Sequence, residues 1–298
     1  MSKVYVAESI EDACQLLRTP GRVLCAGATN LYVDRYLGKQ NACDIISIHK
    51  LKELRQITQG LDGWHIGALC TFDQLEQYFK EKKVMSALSV ACSLVGGPQV
   101  RNRGTIGGNI VSASPSADSV PVLMAWDASV VLRSLFGERR MAIKDFMTGV
   151  KQTAIHDDEI LTEVIIPNHA GQTRFRKVGK RNALAISICN VAIYASVSPI
   201  CKNRLEEIAI AIGSCAPTCV RAVHVEALLM GSVKPDSQSD WQRFKKVIGK
   251  ALEEDISPID DVRATASYRK KVARNLICDL LQEVWEVWEY HPRRKSGR

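Results

Sequence analysis

The chain predicts an α+β fold with more than one core, and three observations carry the prediction. Its 298 residues reach the size at which a single hydrophobic core stops growing, and 46% hydrophobic with 24% charged residues is a globular composition. In the first half, short apolar runs alternate with helical patterns, whereas from Arg174 long strands come first and helices follow. Within the first of these halves lies Gly96 to Asn109, GGPQVRNRGTIGGN, with five glycines and two arginines.

The elements follow in order. ESIEDACQLLR, residues 8 to 18, carries Ser9 as a cap and Ile10, Ala13, Leu16 and Leu17 on one helical stripe. VLCAGATN, Val23 to Asn30, reads as a strand ending in a glycine turn, and LYVDRYL has the composition of a helix. DIISIHKL and HIGALCT read as strands, with LDGW as a turn before the latter. TFDQLEQYFKEKKV and SALSVACSLV are helical patterns leading into the glycine-rich stretch. VPVLMAWDASVVLRS and RRMAIKDF predict a helix end and then strands, EILTEVIIP a strand before Pro167, and NHAGQT a linker. FRKVGKR, LAISICNVAIYASV and EEIAIAIGSCA predict longer strands; VRAVHVEALLM, residues 241 to 254 and YRKKVARNLICDLLQEVWEVW predict helices.

Composition excludes several classes of function. The net charge of +8 comes partly from the terminal PRRKSGR and partly from RFRKVGKR, and aromatics are only 6% of the chain and do not interleave with that run as a nucleic-acid stacking platform requires. No apolar run is long enough to span a membrane, and the N-terminus lacks a secretory pattern, so a cytoplasmic protein is expected. Ten cysteines are scattered at 14, 25, 43, 70, 92, 189, 201, 215, 219 and 278 without cluster spacing, and are expected to be free thiols. The six histidines have no metal-ligand spacing, and no Gly-x-Ser-x-Gly elbow marks a hydrolase.

Glycine lets backbone amides approach a ligand closely, so AGATN and TIGGN, each with hydroxyl and amide side chains, suit the two phosphates of one diphosphate. Neither has the spacing of a nucleotide P-loop or a Rossmann turn, so a different diphosphate fold is expected.

The run GGPQVRNRGTIGGNIVSASPSADSVPVLMAWDA, with AGATN upstream and RATASYRKKVARNL downstream, resembles the FAD-binding subunit of molybdenum hydroxylases, of the xanthine dehydrogenase and carbon monoxide dehydrogenase type. The likeness spans almost the whole chain. It implies a two-part FAD-binding domain of the PCMH type over residues 1–170, with subdomains of about 1–55 and 56–170. An α+β C-terminal domain of antiparallel sheet and helices over 174–290 follows, and then a basic tail, 291–298.

The resemblance implies FAD as this chain's cofactor, with Val23, Leu24, Cys25, Ala26, Gly27, Ala28, Thr29 and Asn30 forming one pyrophosphate loop and Thr105, Ile106, Gly107, Gly108 and Asn109 the other. Ala28 stands where the family carries a second glycine, and its Cβ is expected to be tolerated at a negative φ. Asp118 matches an Asp near the flavin nucleotide, suited to ribose hydroxyls or adenine; its other reading is a helix cap. Leu161 and Lys177 match flavin-contacting positions: Leu161 reads equally as strand core, and Lys177 as a cation near the flavin N1 edge or as part of a solvated or docking face. Arg101, Arg263 and Tyr268 read as bracing residues, and no residue of this chain is assigned as catalytic.

An electron-transfer role in a multi-subunit complex is therefore implied. The molybdenum cofactor would sit on a molybdopterin-binding large subunit and 2Fe-2S clusters on a small subunit, with NAD or another carrier as acceptor, xanthine or another purine as substrate, and a dimer of heterotrimers as assembly. No nucleic acid or membrane partner is expected. Two alternatives stay open: a stand-alone flavin reductase or oxidase of the same superfamily, and a basic binding module without redox activity.

Overall fold

A computed structural model describes residues 2–38, 43–82, 85–181, 183–198 and 204–289; the basic tail 291–298 and Cys201 lie outside the described residues. The chain opens with a parallel sheet. Strands β1 (Val4–Val6), β2 (Arg22–Cys25) and β3 (Asp44–Ser47) are ordered β1-β3-β2, with helix α1 (Ile10–Leu17) between the first two and α2 (Leu31–Tyr36) between the second and third. Ser9 caps α1 by accepting from the Asp12 amide at 3.0 Å, and Ile10, Ala13 and Cys14 pack on Ile46 and Ile48. The predicted strand over 23–30 ends at Cys25, because the backbone turns away at Ala26 to make the loop.

A 3-10 turn (Lys52–Arg55) leads into an antiparallel sheet ordered β4-β5-β10-β6-β7, built from β4 (Ile57–Gln59), β5 (Gly63–Gly67), β6 (Ser129–Ser134), β7 (Gly137–Ala142) and β10 (Ile160–Pro167). Helices α3 (Phe72–Phe79), α4 (Ser86–Ser93), α5 (Pro98–Arg101), α6 (Ile106–Val111) and α7 (Ser119–Ala125) lie between β5 and β6. Helix α8 (Ile143–Phe146) and the small hairpin β8 (Met147–Gly149) and β9 (Gln152–Thr153) follow β7. Helix α3 starts on a capping box in which Thr71 and Gln74 satisfy each other's amides. The glycine-rich stretch is not one open loop: Pro98 starts α5, Thr105 caps α6, and both are single short helical turns.

The C-terminal sheet is antiparallel, β11 (Gln172–Gly179), β12 (Ser187–Val197), β13 (Leu205–Gly213) and β14 (Val220–Arg221), followed by α9 (Val223–Leu229), α10 (Gln238–Asp255) and α11 (Ala266–Glu289). Strand β12 is buried on both faces, which explains its mainly apolar sequence, with Ser187 and Asn190 the buried polar residues in it. Cys189, Val191, Ile193, Ala195 and Val197 share a core with residues of α9, α10 and α11, whereas Ala192 and Tyr194, with Ala209 and Ala211 of β13, join the core of the preceding sheet and α7. The alanines let α7 approach β12 and β13 closely. Trp126 and Trp285 fill the two cores at 1% and 0% exposure, so truncating either to alanine costs about 3–5 kcal/mol.

Candidate functional site

A cavity of about 590 Å³ opens where the parallel sheet, the α6 to α7 region and the C-terminal sheet converge. Its first wall is the turn after β2. Gly27 lies against the backbone of Arg103 so tightly that a Cβ would fall 1.8 Å from the Arg103 carbonyl oxygen, so this position admits only glycine and locks the two glycine motifs together. Asn30 reinforces the contact by donating from Nδ2 to Ser112 Oγ at 3.2 Å.

Ala28 does not meet the condition under which its Cβ is tolerated without strain. Its φ is +66°, in the left-handed region, not negative. An L-residue there carries a penalty of about 1–2 kcal/mol. The conformation turns the chain so that, among the described residues, no acceptor takes the backbone amides of Ala28, Thr29 and Asn30. All three residues line the cavity. Adjacent unpaired amides beside a cavity suit an anion, and they are the feature of this structure that a diphosphate fits.

The second motif works differently from its sequence reading. Four of its five amides are already used: Ile106 donates to Cys70 O, Gly107 to Ala68 O, Asn109 to Thr105 O, and Gly108 to Thr105 Oγ1 at 3.1 Å. What TIGGN offers the cavity is close approach. Gly108 is exposed, and a Cβ on it would meet only Thr105 Oγ1, at 3.0 Å. Gly107 is glycine for a packing reason, since a Cβ there would sit 2.7 Å from that of Ala68.

Of the residues the sequence assigned to a cofactor, Leu24 to Asn30, Thr105, Gly107, Gly108, Asn109, Asp118 and Leu161 line the cavity. Val23, Ile106 and Lys177 do not. Val23 pairs with Ile45 inside the parallel sheet, and Ile106 is fully buried in the core. Leu161 satisfies both of its readings, as a buried β10 residue that also forms cavity wall.

Lys177 and Asp118 meet each other. The Lys177 amine lies 2.5 Å from Asp118 Oδ2 and 2.9 Å from the Leu94 carbonyl, with side chains only 7% and 8% exposed. Asp118 Oδ1 accepts from Ser187 Oγ at 2.6 Å and from Asn190 Nδ2 at 2.9 Å. The cap reading of Asp118 fails: it stands at the start of α7 but its side chain accepts no amide of that helix. Arg101 braces as expected, donating to the Gly96 carbonyl at 3.3 Å and lying 3.3 Å from Glu76.

Sequence reasoning missed several wall residues. Ser112, Ser114 and Ser116 alternate along SASPSAD and line the cavity, and this spacing is the signal that could have found them. Leu184, Ala185, Ile186 and Arg263 close the far side, and no local pattern signals that they come near residues more than 60 positions away.

The segment 1–169 matches the family model "FAD binding domain in molybdopterin dehydrogenase", and 174–284 matches "CO dehydrogenase flavoprotein C-terminal domain". A nicotinate dehydrogenase FAD-subunit from Eubacterium barkeri is 39% identical over 192 residues, covering 62% of this chain and 65% of that one. A xanthine dehydrogenase FAD-binding subunit from Escherichia coli O157:H7 is 30% identical over 283 residues, covering 93% and 94%. Among solved structures, a carbon monoxide dehydrogenase from Hydrogenophaga pseudoflava superposes with a TM-score of 0.87 at 27% identity, covering 96% of this chain and 97% of that one.

Proposed function

Because the chain belongs to the family of FAD-binding subunits of molybdenum hydroxylases, we propose that its cavity holds FAD and that the chain is the electron-transfer subunit of such a complex. The observation that carries the assignment is the row of unpaired amides at Ala28, Thr29 and Asn30, residues that line a 590 Å³ cavity together with exposed Gly108. These amides, with the Thr29 and Thr105 hydroxyls, would hold the diphosphate, while Gly108 lets it lie against α6 without a side chain between. Leu161 and the apolar wall would exclude water from the ring system. Asp118 would face the nucleotide, and Lys177 is a positioning residue that fixes the carboxylate from behind. When bound, FAD supplies the two-electron redox chemistry; the protein supplies binding and orientation.

The rest of the complex follows from the family. A molybdopterin-binding large subunit would oxidise the substrate and a 2Fe-2S small subunit would relay electrons to this chain, in a cytoplasmic dimer of heterotrimers that passes them on to NAD or another acceptor. Xanthine or another purine is the proposed substrate. Its support is the full-length match to the xanthine dehydrogenase subunit, and the nicotinate-acting relative is consistent with a nitrogen heteroaromatic. The domain division proposed is 1–170 for FAD and 174–290 for the C-terminal unit.

The decisive variant is Gly108→Leu, because its new side chain enters the cavity with little protein in its way. The complex should purify with normal circular dichroism and without flavin absorbance. Wild-type FAD content in Gly108→Leu would overturn the assignment.

A further inference from the structure

We infer that the face beside the cavity mouth formed by Lys180, Arg181, Leu184, Ile186, Val262 and Arg263 docks an acidic electron-carrier protein. The inference rests on the flavin reading above. It starts from the basic run RFRKVGKR, two of whose five cations are paired with carboxylates within the fold. Arg176 pairs with Glu283 and lies 3.9 Å from Asp279, and Lys177 pairs with Asp118.

Lys180 and Arg181 differ. The Lys180 amine donates to the Val262 carbonyl at 2.7 Å, and the Arg181 guanidinium to the carbonyls of Ala183 and Leu184 at 3.0 and 2.6 Å. Both side chains are exposed, and among the described residues no carboxylate pairs with either. Arg263 lines the cavity and shares Asp261 with Arg269, and Asp260 is held by the Ala266 amide. On this face Lys180 and Arg181 are therefore the cations without a carboxylate partner among the described residues, while Arg263 is paired with Asp261.

Its centre is apolar. Val262 is 89% exposed, Ile186 58% and Leu184 55%, and the Lys180 to Val262 bond joins the two segments that carry them. Exposed aliphatic side chains flanked by two unpaired cations, Lys180 and Arg181, match the core and rim of a protein interface and favour an acidic partner. A dinucleotide would instead be enclosed by concave walls. Because Leu184, Ile186 and Arg263 are also cavity wall, a protein seated here lies next to the proposed flavin, which makes an electron carrier the fitting partner.

The test titrates the purified complex with an oxidised, acidic 2Fe-2S ferredoxin by calorimetry at about 20 mM and about 200 mM salt. We expect Kd to weaken about tenfold across that range, and the Lys180→Glu, Arg181→Glu double variant to weaken low-salt binding by about tenfold or more at unchanged FAD content. Since Arg181 also braces its own loop, Val262→Glu gives a second reading at a side chain with no packing role and should weaken binding similarly. Failure of the ferredoxin to bind, binding indifferent to salt, or charge-reversed complex binding as wild type would each overturn the inference. So would loss of NAD binding in the double variant with ferredoxin binding intact, which would assign the face to a dinucleotide. A wild-type complex without FAD would strike at the flavin reading instead.

Discussion

Replacing Lys177 with methionine removes a buried ammonium while keeping most of the side chain's volume. Asp118 would then be left 92% buried on its side-chain surface, with Ser187 and Asn190 on Oδ1 but nothing charged on Oδ2. Stripping one partner from a buried ion pair costs about 3–5 kcal/mol, and the two surviving bonds to Asp118 place this loss near the lower end, at about 3 kcal/mol. Asp118→Asn should cost about the same, because the Lys177 ammonium keeps the Leu94 carbonyl but loses its counter-charge. The double variant buries no charge at all, so its loss should be about 3 to 4 kcal/mol rather than the sum of the singles, a coupling of about 2–3 kcal/mol. Urea unfolding followed by tryptophan fluorescence measures all four corners of the cycle, and flavin absorbance is recorded on each protein. Additive losses would refute the reasoning. A Lys177→Met protein as stable as wild type but free of FAD would show instead that the amine contacts the flavin.

Further outcomes follow from individual residues. Ala28→Gly should relieve a left-handed alanine worth about 1–2 kcal/mol and lose about 0.5–1 kcal/mol to chain entropy, raising stability by about 0.5–1 kcal/mol; a lowered Tm would contradict the φ of +66°. His65 sits between Asp62 at 2.9 Å and Glu163 at 3.1 Å, and the bond to Asp62 foremost holds its pKa above the usual value. Its contribution to stability is therefore complete below the unfolded pKa of about 6.5 and is lost as pH rises through the higher folded value. Tm measured from about pH 6 to 9 should decline more in wild type than in His65→Gln, and parallel curves would rule this out. Burial pushes the Cys70 and Cys278 thiols up to about 11, so iodoacetamide at about pH 8 should spare both in the native chain while reaching half-buried Cys43. Equal labelling of Cys70 and Cys43, read by mass spectrometry, would contradict the packing.

Local chemistry made much of this readable in advance. Ser9 before a helical stripe, the helical pattern from Thr71 and the long, mainly apolar run of β12 each declare their structure locally. The glycine motifs announced a close backbone approach, but not to what. Gly27 approaches Arg103 and Gly107 approaches Ala68, so two of these glycines serve protein packing while Gly108 faces the cavity. The positive φ of Ala28 is not legible in the sequence, because alanine ordinarily takes a negative φ. Lys177 was set near the cofactor by its place in the motif, yet its geometry is decided by Asp118, Ser187 and Asn190, brought together by chain separations that no local pattern encodes.

The alanines of β12 and β13 have a consequence for how this protein can be divided. Two family segments meet between residues 169 and 174, which invites cutting the chain there. Yet Ala192, Tyr194, Ala209 and Ala211 complete the core that begins at Trp64, so the C-terminal sheet is a party wall belonging to both sides. A fragment starting at 174 would present that wall to water as an apolar, sticky surface. Units that are separable in sequence are here a single object in stability, and the flavin subunit should unfold, or survive, as a whole.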